Sequence, residues 1–129
     1  MAKEIEVLVL DDEAIVCERL KDFFEAKDLI VEAFTESEKA IERMKKKNFD
    51  VVVTDMKMPG RTGMDVLQFI KDNHPSTQVI IISAYSLIDK FREAEAMGAY
   101  EYVTKPFQLS TIYNLVVKAA KRAKKQKIS

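Results

Sequence analysis

Tryptophan is absent from the 129-residue sequence, and cysteine, histidine, glycine and proline are scarce, at one, one, three and three residues. So few glycines and prolines, set against 33% charged residues, exclude a fibrous repeat, a low-complexity chain or a disordered one. A lone cysteine, Cys17, cannot close an intramolecular disulfide, and with His74 it makes too small a set for a zinc site. Both are expected to be structural, Cys17 beside an apolar helical stripe and His74 in the polar loop Asn73-His74-Pro75-Ser76. Long hydrophobic runs are also missing. The longest, such as Val7 to Leu10 and Val79 to Ile82, fall far short of the roughly 18 residues of a membrane-spanning helix. No basic and then apolar leader follows Met1. A soluble protein of a reducing cytoplasm is the expectation.

With 47% apolar residues, the chain can bury one core, so residues 1–129 are expected to form one domain. The formal net charge is zero, but it is segregated. No acid follows Glu101, whereas Lys118, Lys121, Arg122, Lys124, Lys125 and Lys127 crowd the end. From about residue 118 the chain reads as a basic helix end or linker, with cations well placed near a helix C-terminus. A short basic run alone is a weak footprint for nucleic acid.

Strand-length apolar runs alternate with segments of helical periodicity, which points to an α/β fold with a parallel sheet covered on both faces. The expected strands are Ile5 to Leu10, Leu29 to Phe34, Asp50 to Thr54, Gln78 to Ile82 and Tyr100 to Val103. Three of them contain apolar runs without alternation, as doubly covered strands should. Helical stripes fall at Val16, Leu20, Phe23 and Phe24; at Ala40, Ile41 and Met44; at Val66, Leu67 and Ile70; and at Leu109, Ile112, Val116 and Ala119. Thr35 and Glu38 have the spacing of a capping box, and Gly98 sits where a left-handed residue would close the fourth helix. Met56, Met58 and Met64 are expected to pack.

In such sheets, ligands bind beyond the carboxyl ends of the strands. Strand one ends in Asp11, Asp12 and Glu13, strand three at Asp55, strand four at Ser83 and Ala84, and strand five at Thr104, Lys105 and Pro106. Each residue alone has a bland explanation as a cap, a turn former or a solvated strand end. Their convergence on one rim does not. Clustered carboxylates repel by about 4 kcal/mol per pair at about 4 Å and an effective dielectric near 20, so they call for a cation or a proton. Oxygen ligands with room for water suit magnesium. Asp55 is then the candidate nucleophile for a phosphoryl group, with Lys105, the Ser83 hydroxyl and backbone amides beside small Ala84 balancing its oxygens.

At these residues the chain resembles the receiver domain of two-component response regulators. Val9-Leu10-Asp11-Asp12-Glu13 is similar to the family's acidic pair, and Asp55-Met56-Lys57-Met58-Pro59-Gly60-Arg61-Thr62-Gly63 to its acceptor loop. Ile82-Ser83-Ala84 is similar to its hydroxyl switch, and Gly98 through Phe107 to its fifth strand and following loop. The resemblance implies a doubly wound (βα)5 flavodoxin-like sheet in the order 2-1-3-4-5. It also implies a phosphoacceptor, not a turnover enzyme, that catalyses only its own phosphorylation and dephosphorylation. Asp12, Asp55 and the backbone carbonyl of Lys57 would hold magnesium, with Asp11 assisting through water. Ser83 and Tyr102 would be the switch, and the Lys105-Pro106 bond would be cis.

The partners implied are a sensor histidine kinase or phosphotransfer protein, and an output domain or downstream protein. The face of the fourth helix, fifth strand and fifth helix would carry the output and any homodimer, with no membrane contact. Nucleic acid would be met only through an output domain. The stretch Gly98-Ala99-Tyr100-Glu101-Tyr102 resembles receivers of transcription activators. Lys57 and Tyr85 would flank the phosphoryl group and slow its hydrolysis. A phosphorylation-independent interaction module of the same fold is the alternative. A flavin carrier is disfavoured because Asp11, Asp12 and Glu13 would repel its phosphate, and an aspartyl phosphatase because Lys57 stands where its second Asp belongs.

Overall fold

The unbroken runs Val7 to Leu10, Val51 to Val53 and Val79 to Ile82 lie in the three inner strands of one sheet, where β-branched side chains pack on both faces. The computed structural model describes residues 4–84 and 88–128. Tyr85 lies outside them. In chain order the elements are β1 Glu6–Leu10, α1 Ala14–Ala26, β2 Ile30–Phe34, α2 Ser37–Met44, β3 Val51–Asp55, α3 Gly63–Asn73, β4 Gln78–Ser83, α4 Ile88–Ala96, β5 Glu101–Thr104 and α5 Leu109–Ile128. All strand pairs are parallel, and the order is β2-β1-β3-β4-β5, as expected.

Strand alternation sorts the core into two layers. Val7, Val9, Val51, Val53, Ile80 and Ile82 face α1 and α5, meeting Leu20, Phe24, Ile112 and Val116. Leu8, Leu10, Val52, Val79 and Ile81 face α2, α3 and α4, meeting Ile41, Met44, Leu67, Ile70 and Ala94. Met56 and Met58 are buried in this second layer and Met64 packs against it, in keeping with a packing role. Fully buried side chains such as Leu8, Leu20 and Ile81 each contribute about 1.5–3 kcal/mol.

Several local expectations shift. β3, β4 and β5 run one residue further than expected, to Asp55, Ser83 and Thr104, because the parallel ladder continues to pair Asp55 with Ile82 and Ser83 with Thr104. The Thr35 and Glu38 capping box does not form. α2 starts at Ser37, with Glu36 as its N-cap and no side-chain bond, which puts Thr35 out of register. A capping box occurs instead at α3, where Thr62 accepts from the Asp65 N–H at 3.2 Å and Asp65 accepts from the Thr62 N–H at 2.9 Å. Gly98 does adopt φ +93° after α4.

The basic end continues α5 as helix to Ile128. Ala119, Ala120 and Ala123 are buried, and the Lys124 ammonium donates to the Glu4 carbonyl at 3.0 Å and to Asp50 at 3.3 Å. No helix among the described residues is long and apolar enough to cross a membrane.

Candidate functional site

Because all five strands are parallel, the chain reaches the same rim after each, and β1, β3, β4 and β5 deliver their acids, hydroxyl and lysine there together. Asp12, Glu13, Asp55, Lys57, Ser83 and Lys105 all border one cavity of about 580 Å3. Asp55 is 6% exposed and ends a strand whose every residue is buried. Its Oδ1 accepts the Met56 N–H at 2.9 Å, which sets the plane of the carboxylate. Ser83 is buried at the end of β4, and exposed Ala84 follows it.

Three carboxylates share the Lys105 ammonium, at 3.0 Å from Asp11, 3.4 Å from Glu13 and 3.6 Å from Asp55. The nearest acceptor of Lys105 is thus Asp11, with Asp55 the most distant of the three. Glu13, which the sequence presents as a helix-entry residue, is a partner of Lys105 that residue type alone could not reveal. The Lys105-Pro106 peptide bond is cis, as expected.

Four acids around one ammonium are electrostatically unbalanced. Burial, and then the neighbouring charge of Asp11, lift the Asp55 carboxyl to about 6 against the pull of Lys105. Burial likewise raises Asp11, although the Glu13 amide and Lys105 counter it. Burial would lower Lys105, but the hydrogen bond and charge of Asp11 outweigh this and hold the ammonium above its ordinary value. Asp11, Asp12 and Asp55 can each place a carboxylate oxygen within 4.8 Å of the others. An all-oxygen donor set without histidine or thiolate fits magnesium and not zinc.

Gly63, the first residue of α3, is a further site residue that its place in the acceptor loop only hinted at. Its N–H donates to the Met56 carbonyl at 2.7 Å. A Cβ there would lie 2.5 Å from the Asp55 carbonyl oxygen and 2.9 Å from the Met56 Cα, both backbone atoms that cannot step aside alone. With the Thr62 and Asp65 capping box, this close approach seats α3 directly against the acceptor. Gly63→Ala is therefore expected to cost about 1–3 kcal/mol in urea unfolding, as overpacking does. Unchanged stability would show that this contact does not restrain the loop.

Cys17 and His74 are structural, as expected. The buried Cys17 thiol donates to the carbonyls of Asp11 and Phe34 at 3.2 and 3.3 Å, and His74 Nε2 lies 2.7 Å from the Met44 carbonyl. Tyr102 is half-buried on β5, with its ring edge-on to Phe91 of α4 at 5.9 Å.

Residues 7–117 match the family model of the response regulator receiver domain. The response regulator protein PilR of Pseudomonas aeruginosa is 33% identical over 112 residues, covering 87% of this chain and 25% of PilR. The DNA-binding transcriptional regulator NtrC of Escherichia coli is 32% identical over 120 residues, covering 93% of this chain and 26% of NtrC. The chain thus spans about a quarter of the length of these curated relatives. Among solved structures, a response regulator receiver domain protein from Clostridium thermocellum superposes with a TM-score of 0.87 at 32% identity, covering 93% of this chain and 97% of that one. The beryllofluoride-activated NtrC4 receiver domain dimer gives 0.86 at 30% identity, covering 92% and 98%. Sequence and fold agree: this chain belongs to the response regulator receiver domain family of two-component signal transduction.

Proposed function

We propose that this domain accepts a phosphoryl group on Asp55 from a sensor histidine kinase or phosphotransfer protein, and so switches an output through the face of α4, β5 and α5. The observation that carries this reading is the buried Asp55 carboxylate on the border of an acid-rimmed cavity, with the Lys105 ammonium 3.6 Å away. A carboxylate oxygen of Asp55 forms the new P–O bond as the bond from phosphorus to the donor nitrogen breaks. Asp12, Asp55 and the Lys57 carbonyl would hold magnesium, with Asp11 behind them through water. Bound there, the ion would neutralise the clustered carboxylates and the charge on the transferred group.

The protein's own groups do the rest. The Met56 amide holds the nucleophile in place, Lys105 moves from Asp11 toward a phosphoryl oxygen, and the Ser83 hydroxyl and the backbone at Ala84 bond the others. The domain modifies itself and turns over no other substrate. Ser83 and Tyr102 form the switch in this reading, because a new charge of nearly −2 acts at a distance only by biasing a two-state element, a role assigned to the Tyr102 ring, which is half-buried and so has room to turn inward. Lys57, exposed at the cavity edge, flanks the phosphoryl group and lengthens its lifetime.

An approach for the donor is available beside the cavity, through a groove of about 560 Å3 whose border mixes the charged Glu13, Arg19 and Lys105 with the apolar Val16, Phe107 and Leu109. A cytoplasmic setting is in keeping with membership of the receiver family, and transcription as the controlled output with the likeness to the DNA-binding transcriptional regulator NtrC. A homodimer on the α4, β5 and α5 face is in line with the NtrC4 receiver dimer.

Intact-mass analysis after incubation with acetyl phosphate and magnesium tests the reading. One phosphoryl adduct per chain, removed by hydroxylamine and missing from Asp55→Asn, is the expected result. An adduct that persists in the variant would place the acceptor elsewhere.

A further inference from the structure

α5 contains no acid in 20 residues, and its charges divide by direction. Lys124, which turns toward the sheet, has its acid in Asp50. Lys118, Lys121 and Arg122 lie on the side opposite the buried Ile112, Val116, Ala119 and Ala123, and all three are exposed. Residues three and four apart on a helix are neighbours, so these cations face one another in like-charged pairs. Among the described residues, no ion pair joins any of them to an acid.

A fourth cation extends the surface. Lys71 of α3 folds over Gly98, its Cε 2.9 Å and its Nζ 3.3 Å from where a Cβ would stand, so the bare, positive-φ glycine makes its seat. Burial, and then the charge of Arg122, lower its pKa. The two cations thus sense each other's charge although α3 and α5 pack on opposite faces of the sheet, and an anion bound to both would relieve that repulsion. The helix that carries the stripe is also held in place. Lys124 ties it to Glu4 and Asp50, and Gln126 meets the Gln78 side chain at 3.1 Å.

We infer that Lys71, Lys118, Lys121 and Arg122 form an anion-binding surface for the phosphate backbone of duplex nucleic acid. The chemistry of the surface selects this occupant. A protein partner needs an apolar anchor in the middle of its interface, yet among the described residues the exposed large hydrophobics Ile15, Ile30 and Ile88 lie on α1, β2 and α4, and none is on this outer side of α5. Single strands need aromatic platforms for their bases, and the outer side of α5 bears none, since Tyr113 packs against Phe23 and Phe24 of α1. What remains is a set of point charges at fixed spacing, suited to phosphates and indifferent to sequence. The surface lies away from the acidic rim, so its occupation and the state of Asp55 can be measured separately.

The test is fluorescence anisotropy of a labelled duplex of about 20 base pairs with the full chain, titrated at salt from roughly 20 to 200 mM. Binding should be weak and sequence-independent. The slope of log affinity against log salt should lie near −3 to −4, from about 0.9 per neutralised phosphate. The triple variant Lys118→Gln, Lys121→Gln, Arg122→Gln should lose at least about tenfold in affinity at low salt and most of that slope. It should still fold and still take phosphoryl on Asp55, since the three side chains are solvated and remote from the acidic rim. Lys39→Gln, at an exposed position of α2, should bind like the parent. No binding at the lowest salt, or a triple variant that binds as well as the parent, overturns the inference. Polyglutamate or phosphatidylserine vesicles binding as tightly as the duplex at equal salt would also overturn the choice of nucleic acid.

Discussion

Asp55→Asn is expected to make the metal-free domain more stable at neutral pH, although it removes the proposed acceptor. The folded protein holds the Asp55 proton more tightly than the unfolded chain does, because burial and Asp11 lift that carboxyl to about 6. Between the ordinary carboxylate range and about 6, the native state therefore binds more protons than the unfolded state, and stability falls as pH rises. Above about pH 6 the penalty is complete, at up to about 3 kcal/mol. Asparagine has nearly the same shape and no charge, so the gain should be about 1–3 kcal/mol near pH 7.5. It should shrink steadily as pH is lowered toward about 4. Urea unfolding of the two proteins at several pH values reads this directly. A variant less stable than the parent at pH 7.5, or a gain that does not depend on pH, would mean that the Asp55 charge is not strained in the folded state.

Magnesium should relieve the same strain and stabilise the domain in a pH-dependent way. The ion must displace the proton that Asp55 carries below about 6, so its affinity should climb as pH rises through that value and level off above it. At tenfold above its dissociation constant, a ligand of the folded state alone adds about 1.4 kcal/mol, or several degrees in Tm for a domain of this size. Thermal melts with and without magnesium should differ clearly at about pH 7.5 and much less at about pH 5.5. Asp12→Asn removes the most exposed acid of the trio without disturbing the core, and should abolish the shift. A shift of equal size in that variant would put the ion at another place.

Much of this site is visible before any coordinates, for a reason peculiar to parallel α/β sheets. Every strand runs the same way, so the residues that follow each strand reach one rim, and locating strand ends is enough to assemble Asp11, Asp12, Asp55, Ser83 and Lys105. One-residue errors at the ends of β3, β4 and β5 did no harm, because the loops that follow project into the same space. The capping box was misplaced for a comparable reason. Spacing alone allowed Thr35 with Glu38, whereas the pair that formed, Thr62 with Asp65, sits where Gly63 packs on the acceptor backbone and sets where the helix begins.

The amino-acid order by itself determined the alternation of strands and helices, the two-layer core and the identity of the rim residues. These depend on local periodicity and on apolar runs a few residues long. Tertiary structure alone decided how the charges are shared. Lys105 and Asp11 stand 94 residues apart, and nothing local tells whether that ammonium rests 3.0 Å from Asp11 or on Asp55 instead. The same holds for the close approach of Gly63 to the Asp55 carbonyl, and for the end of α5, which reads as a solvated tail until Lys124 is found on Asp50. Coulomb energies, desolvation and steric exclusion all change over fractions of an ångström, and only the packed chain sets distances that finely.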